Sequence, residues 1–367
     1  MFAPYLAELP AWLLFLITWG QSAVSRSKYT DYSIAAIASL QEYYYNETSG
    51  LYTDLSWSGN AQGLTVLADF ATLDFGDSVN LNLTHVYYKT YKKALTYHEG
   101  LVTSSYEDEG WWALALIHAY DVTGTYEFLS TAESLFKNIH NASDSVCGGG
   151  VWDTKAQANK SALANELYFT VAASLSNRGN NTTTQKKYYD IASSQWDWFK
   201  ESGLINETGL ITTSLSDSCL QTAVPSLSEI QGVLIGGLVE FVTAGANATE
   251  LLPIATSLAL ATITNLSVDG ILQDSCEPFC DSNLVSSKGV FFRNLRYLYS
   301  SNIDDSSART IKTYVLLNAE TLWKYARYSK NDTVGGDWTG PPSIGHGPNA
   351  GTQISAVDAL LAAMTVH

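Results

Sequence analysis

The residue types best suited to chemistry lie in a short acidic segment, Glu107-Asp108-Glu109, which precedes two adjacent tryptophans. Hydrolysis of a glycosidic bond requires two carboxyl groups at one sugar ring, and flat faces such as those of Trp111 and Trp112 can hold the sugars. Acidic residues also favour a helix N-terminus, because they complement its dipole and accept hydrogen bonds from unpaired N–H groups. An acidic helix cap is therefore the plain alternative to a catalytic pair.

Two of the three acids are the better candidates. Glu109 belongs most naturally to the helix as a cap or orienter, whereas Glu107 and Asp108 are expected in the preceding turn, which can aim both side chains inward. Retaining glycosidases hold their carboxyl groups roughly 5 to 5.5 Å apart, and neighbouring residues suit that spacing. At such a distance the two groups resist ionising together, so one pKa rises and that group supplies the acid. A solvated acidic turn stays open as the alternative.

The elements that would position these acids are predicted to be almost entirely helical. Amphipathic helices alternate with helices that are apolar on nearly all sides, and a helix of the second kind must be buried. The amphipathic helices are predicted at 33–44, 87–97, 126–139, 187–202, 251–266 and 308–328, and the apolar ones at 60–70, 109–120, 165–175, 231–242, 289–299 and 353–363. The predicted fold is all-α, an (α/α)6 barrel in which six outer helices surround six inner ones.

In such a barrel the starts of the inner helices converge on one mouth, which makes that mouth the candidate cleft. Each inner helix starts near a polar residue, and several of the preceding loops carry tryptophan. The candidate substrate-binding residues are accordingly Trp57, Asn60, Tyr106, Trp111, Trp112, Trp152, Asn165, Gln231 and Lys288. The alternatives are that polar residues are simply favourable in a first helical turn, and that part of the tryptophans belongs to the core.

The run Cys147-Gly148-Gly149-Gly150 allows the backbone to approach a ligand or another loop closely. It is not a phosphate loop, because no Gly-Lys-Ser/Thr follows. The chain has four cysteines. We pair the two that are close in sequence, Cys276 with Cys280, which leaves Cys147 with Cys219. A zinc site is the alternative, but no histidine lies at ligand spacing from these cysteines. We expect no metal and no cofactor.

The net charge, the N-terminal sequence and the sequons indicate which partners and which cellular location to expect. A net charge of −16 argues against nucleic acid or an anionic membrane as a partner and favours a neutral ligand. The apolar stretch Trp12–Trp19, followed by small residues, predicts a signal peptide over residues 1–25 and a single domain over 26–367. Asn-x-Ser/Thr sequons recur along the chain, for example at Asn46, Asn141 and Asn331, and point to a secreted glycoprotein. We expect a monomer.

Together these motifs resemble glycoside hydrolase family 76, whose members are endo-α-1,6-mannanases with an (α/α)6 barrel. The matching segments are Tyr106-Glu-Asp-Glu-Gly-Trp-Trp-Ala-Leu-Ala, Trp57 with Asn60, Cys147-Gly-Gly-Gly, Asn165-Glu166-Leu, Gln231-Gly232, Lys288-Gly-Val-Phe-Phe-Arg293, Trp338-Thr-Gly-Pro and Gln353-Ile-Ser-Ala-Val-Asp358. The resemblance covers nearly the whole chain after residue 25. Any one of these segments alone would be a weak signal.

The resemblance implies retaining hydrolysis of α-1,6-linked mannan or of a mannosylated cell-wall glycan. The family motif is an Asp-Asp pair, so by position Glu107 corresponds to the nucleophile and Asp108 to the acid/base. This chain departs from the pattern in two places: glutamate stands at 107, and Ser228-Glu229-Ile230 replaces the family's Tyr-Asn dipeptide before Gln231. A cell-wall mannan transglycosylase and a catalytically impaired mannan-binding protein are the two alternatives.

Overall fold

A computed structural model describes residues 27–211, 213–223 and 227–367, so the predicted signal peptide lies outside the described residues. The helices are α1 (Lys28–Tyr44), α2 (Trp57–Leu73), α3 (Phe75–Asn80), α4 (Leu83–Tyr97), α5 (Tyr106–Thr123), α6 (Tyr126–His140), α7 (Ala162–Ser176), α8 (Thr182–Glu201), α9 (Ser228–Thr243), α10 (Ala248–Asn265), α11 (Ser287–Tyr299), α12 (Asp305–Tyr325) and α13 (Ala350–Val366). None of these helices has the length and apolar character needed to cross a membrane.

The helices form two concentric rings. The inner ring runs α2, α5, α7, α9, α11 and α13, each helix packs on the next, and α13 packs on α2 to close the circle. The outer helices α1, α4, α6, α8, α10 and α12 each pack against an inner one. Most residues of the inner helices are buried, as their apolar sequences require. The predicted (α/α)6 barrel with its six inner and six outer helices is confirmed.

Short strands, which the sequence did not predict, lie in the loops before the inner helices. Antiparallel hairpins are formed by β1 (Tyr45–Asn46) with β2 (Leu51–Tyr52), by β6 (Ser267–Val268) with β7 (Ile271–Leu272), and by β8 (Arg327–Tyr328) with β9 (Thr333–Val334). A three-stranded sheet joins β3 (Asn159–Lys160), β4 (Thr213–Ser216) and β5 (Gln221–Ala223), with Lys160 opposite Leu215. Strands of two residues are too short to show an alternating pattern.

Both predicted disulfides are present. Cys147 is bonded to Cys219, and Cys276 to Cys280. The first joins the glycine run to the hairpin of β4 and β5 across 72 residues of sequence. All four cysteines are therefore paired, and the zinc alternative is wrong.

A buried ion network joins residues of the inner helices. Arg293 on α11 donates to Asp358 on α13 at 2.7 Å, and Arg296 forms an ion pair with Asp69 on α2 at 2.8 Å. His118 of α5 lies 3.0 Å from the same Asp69. Buried charges persist only when they are paired in this way, so the network ties four inner helices together.

Candidate active site

Two adjacent carboxyl side chains open the first turn of α5. Ser105 is the N-cap, and its hydroxyl accepts the backbone N–H of Asp108 at 3.2 Å. Helix α5 begins at Tyr106, so Glu107 and Asp108 lie in the helix; their expected place in the preceding turn was wrong. Both side chains are partly exposed at the mouth. Because successive helical residues are about 100° apart, Glu107 faces α7 whereas Asp108 faces α2.

Glu107 lies among other acids. The hydroxyl of Ser161, at the start of α7, donates to Glu107 Oε1 at 2.5 Å. Burial raises the pKa of Glu107 to about 7, and the negative charges of Asp153 and Asp108 add to that rise, whereas the Ser161 hydrogen bond opposes it. Burial is the largest of these effects on the pKa of Glu107, and the Asp108 charge is the smallest.

Asp108 has a different set of partners. Burial raises its pKa above the usual range, while the nearby Ser58 and Thr103 hydroxyls and the nearby His98 oppose the rise. Ser58 belongs to the first turn of α2, so Asp108 lies on the side of α5 that is next to this inner helix. Glu107 and Asp108 therefore have different neighbours, Ser161 at the start of α7 and Ser58 at the start of α2.

Glu109 has a structural role. Its side chain is fully buried, and its carboxylate accepts the backbone N–H of Thr103 at 3.2 Å and the side-chain amide of Asn138 at 2.5 Å. Lys155 lies 3.6 Å from the same carboxylate. These contacts fix the loop before α5 and leave Glu109 turned away from the mouth, in agreement with its predicted role as cap or orienter.

Two buried glutamates extend the acidic cluster beneath Glu107. Glu166 on α7 is fully buried, and neither of its carboxyl oxygens has a hydrogen-bond partner among the described residues. Glu229 on α9 accepts from Ser287 at 3.1 Å, and burial raises its pKa to about 8. Burial, together with Glu229 and Glu107, raises the pKa of Glu166 well above its usual range. A buried acid with no donor is held in its neutral form.

Of the predicted aromatic platforms, Trp57 is the best placed. It is partly exposed at the start of α2, and its ring lies 4.9 Å from the ring of Trp112 and 4.6 Å from that of His98. Trp112 is fully buried behind it, whereas Trp111, also buried, lines a cavity deeper in the barrel. Neither of the paired indoles, both candidates for substrate binding, is therefore exposed at the mouth. Tyr106 is partly exposed beside Glu107.

The predicted ligands Asn60, Asn165 and Gln231 are buried and hold the loops instead. Each is the fourth residue of its inner helix, and its amide oxygen accepts a backbone N–H from the preceding loop: Tyr52 at 2.7 Å, Val151 at 2.8 Å and Ile211 at 3.0 Å, respectively. Their amide nitrogens donate to backbone carbonyls. Gln353 makes the same contact with Val334. Their assignment as substrate-binding residues is corrected, since their amide oxygens and nitrogens are occupied by the backbone.

Lys288 and Trp152, two further candidates for substrate binding, are buried and contact other side chains. Lys288 is buried, donates to Glu277 at 2.9 Å and lies 4.3 Å from the ring centre of Trp338. Trp152 is buried, and its indole N–H donates to Asp144 at 2.8 Å. Lys288 also donates to the carbonyl of Gly336 at 2.7 Å and lines a cavity with Glu277 and Thr352.

The glycine run serves packing. Gly149 and Gly150 have positive φ angles of 144° and 78°, and a Cβ on either residue would lie within 2.8 Å of the Trp198 ring. Only glycine allows both the backbone conformation and the close approach. Of the two uses considered for this run, the structure shows contact with another element, α8.

This arrangement suits acid–base chemistry on a neutral molecule. Two adjacent carboxyl groups with raised pKa values lie at a partly exposed mouth, and the indole ring of Trp57 lies at the start of the neighbouring helix α2. Among the residues the structure describes, no group of His, Cys, Asp and Glu side chains has the arrangement of a metal site. Sequence reasoning missed Ser58, Ser161 and Glu229, because a serine or an acid at a helix start is usually a cap.

Comparison with known proteins agrees with this chemistry. A family model described as Glycosyl hydrolase family 76 matches residues 28–367. The GH76A α-1,6-mannanase of Salegentibacter sp. HEL1_6 has the same fold, with a TM-score of 0.81 at 19% identity over 92% of this chain and 100% of that chain. An inactive variant of that enzyme, with two consecutive aspartates replaced by asparagine, is solved in complex with α-1,6-mannotriose (TM-score 0.81, 18% identity, 92% and 100% coverage).

A further structural relative carries a different sugar. Dfg5 from Chaetomium thermophilum, solved in complex with glucosamine, has a TM-score of 0.78 at 16% identity, covering 93% of this chain and 91% of that chain. No curated protein matches the chain.

Proposed function

Because the chain belongs to glycosyl hydrolase family 76, we propose that it cleaves α-1,6-mannosidic bonds with retention of configuration, using Glu107 and Asp108. The observation that carries the proposal is the pair itself: two adjacent, partly exposed carboxyls whose pKa values are both raised. The Salegentibacter enzyme, which is inactive without two consecutive aspartates and is solved with α-1,6-mannotriose, supports the substrate class.

In the first step Glu107 attacks the anomeric carbon while Asp108 protonates the leaving oxygen, which gives a covalent mannosyl-enzyme. In the second step Asp108 takes a proton from water, and the hydroxide formed releases mannose from Glu107. The first step requires Glu107 ionised and Asp108 protonated. These roles rest on the positions of the two residues in the family motif, because the pKa of about 7 belongs to Glu107 and does not mark Asp108 as the acid. Since the pKa of Glu107 is about 7, we expect kcat/KM to fall on the acidic side of neutrality.

Trp57 would supply the flat face for a sugar next to the pair. Its ring is backed by the buried Trp112, so it is held in one orientation without needing a ligand. A mannan chain is uncharged, which suits a mouth whose nearest ionisable groups are mostly acids.

The direct test is incubation of the purified protein with linear α-1,6-mannan, followed by measurement of reducing ends. We expect release by the wild type and a fall of about 100-fold or more in Asp108→Asn. Wild-type protein that releases no reducing ends and transfers no mannosyl units would contradict the catalytic proposal and leave the mannan-binding alternative.

Reaction of the two alanine variants with azide distinguishes the nucleophile from the acid/base. With an activated aryl α-mannoside and azide, Asp108→Ala should form the α-mannosyl azide, because azide attacks the covalent intermediate. Glu107→Ala should form the β-azide, because azide replaces the missing nucleophile. The opposite configurations would exchange the two assignments.

A transglycosylase is the second candidate, since a sugar hydroxyl can replace water in the second step. The likeness to Dfg5, which is solved with glucosamine, indicates that this fold also accepts a sugar other than mannose. Longer products on addition of an oligosaccharide acceptor, with few new reducing ends, would favour transfer over hydrolysis.

We also propose that the protein acts outside the cell as a glycoprotein. The recurring sequons, the apolar N-terminal stretch and the two disulfides support this location. Detection of the protein in culture medium or cell wall, with a mass that falls on N-glycosidase treatment, would test it.

A further inference from the structure

Ser161 makes two hydrogen bonds that join α7 to the candidate nucleophile. As the N-cap of α7, its hydroxyl oxygen accepts the backbone N–H of Ala164 at 3.1 Å. The single hydroxyl proton goes to Oε1 of Glu107 at 2.5 Å. We propose that Ser161 is a positioning residue for the reaction: it holds Oε1 of Glu107 and leaves Oε2 to attack the sugar. This inference rests on the proposed function.

Ser161 donates a hydrogen bond to Glu107, whose other neighbours include several acidic side chains. Asp108 lies on the same helix as Glu107, Asp153 lies in the loop before α7, and buried acids face it from α7 and α9. Burial and the charges of Asp153 and Asp108 disfavour a negative charge on Glu107. Within the described part of the chain, the Ser161 hydroxyl is the one neighbour whose contact lowers the pKa of Glu107. A nucleophile must be ionised, so this donor supports the required form.

The position of Ser161 is itself fixed by its neighbour in sequence. Lys160 is fully buried, and its ammonium donates to Asp144 Oδ1 at 2.7 Å and to the carbonyls of Val146 and Gly149 at 2.8 and 2.6 Å. Lys160 also pairs with Leu215 in the three-stranded sheet. The backbone that carries the Ser161 hydroxyl is therefore anchored on both sides.

This contact also accounts for glutamate at position 107. A glutamate carboxyl reaches about 1.5 Å farther than an aspartate carboxyl and has one more rotatable bond. Its second oxygen can take several positions unless a hydrogen bond fixes the first oxygen. Ser161 provides that hold, whereas an aspartate at 107 would fall short of the hydroxyl by about the length of one bond.

The test compares Ser161→Gly with Ser161→Thr. Glycine removes the hydroxyl but is tolerated at an N-cap, and threonine keeps both the cap and the donor. For Ser161→Gly we expect the acidic limb of kcat/KM on α-1,6-mannan to move up by about one pH unit and kcat to fall roughly tenfold. For Ser161→Thr we expect the wild-type limb. Ser27→Ala, which removes the cap of α1, is the matched control and should move neither.

A direct titration keeps this test independent of turnover. Carboxyl ¹³C NMR of glutamate-labelled protein, with the Glu107 signal assigned from Glu107→Gln, should show a higher pKa for Glu107 in Ser161→Gly than in wild type. If the wild type cleaves no mannan, the proposed function fails and this titration still decides the contact. A Ser161→Gly protein with lower thermal stability but unchanged Glu107 titration and unchanged acidic limb would reduce Ser161 to a helix cap and overturn the inference.

Discussion

Replacing Glu107 by glutamine should stabilise the protein at alkaline pH while it abolishes catalysis. Folding raises the pKa of this carboxyl from 4.5 to about 7, because the folded chain buries it among other acids. A raised pKa in a carboxylic acid means that the folded state binds the proton more tightly than the unfolded state does. Stability is therefore lost as pH rises from about 4.5 to about 7 and stays lost above that range.

The expected change in the free energy of unfolding follows from the shift in the pKa of Glu107. Each pKa unit corresponds to about 1.4 kcal/mol, so this shift sets an upper limit of about 3 kcal/mol. Glu107 is partly exposed, and water screens its charge, so we expect about 1 to 2 kcal/mol. Glutamine keeps an acceptor for the Ser161 hydroxyl and cannot ionise. In a domain of this size the gain corresponds to a rise in Tm of roughly 2 °C.

The assay is thermal and urea unfolding of wild type and Glu107→Gln between pH 4 and pH 8. The difference in stability should be near zero at pH 4 and should grow to its full value by pH 8. Glu42→Gln, an exposed carboxyl on α1, controls for the general effect of removing one negative charge. A difference that is the same at both ends of the range, or a less stable variant at pH 8, would refute the reasoning.

Three further perturbations address the mouth and the loops that shape it. Trp57→Ala should raise KM for mannan oligosaccharides about tenfold with a smaller effect on kcat, as steady-state kinetics would show, because it removes a sugar-facing ring. Asn165→Ala should destabilise the protein by about 2 to 4 kcal/mol in urea unfolding, since it leaves the N–H and carbonyl of Val151 buried and unpaired. Replacing Cys147 and Cys219 together by serine should cost about 4 kcal/mol in the same assay, because the bond closes a 72-residue loop.

The fold could be predicted because the two rings have different hydrophobic patterns. Helices α2, α5, α7, α9 and α13 are apolar on nearly all sides, whereas most outer helices carry one apolar face, and only a nested arrangement buries the first kind completely. The hairpins at the mouth escaped prediction because each strand is set by pairing with its partner. A two-residue strand such as β8 has no periodicity of its own.

The site could be predicted only in part, because the same residue types serve two purposes at a helix start. Three acids in sequence located the catalytic candidates, yet Glu109 is structural while Glu107 and Asp108 face the mouth. Asn165 resembled a ligand but binds backbone. Ser161 resembled a helix cap, but its hydroxyl also contacts Glu107. These two residues are 54 positions apart, so no local sequence pattern can show the contact.

In the first turn of the inner helices, the position of a residue determines whether it faces the mouth or binds the preceding loop. On α5 the second and third residues face the mouth, whereas the fourth residue of α2, α7, α9 and α13 reaches back and binds the backbone of the preceding loop. Because that contact is buried and made to backbone, the loop holds its place whether or not a ligand is bound. A rigid frame of this kind leaves little room for the backbone to retreat when a longer side chain occupies the nucleophile position. The extra length of Glu107 must then be accommodated by its side chain alone, and the Ser161 hydroxyl is the contact that fixes where that side chain ends.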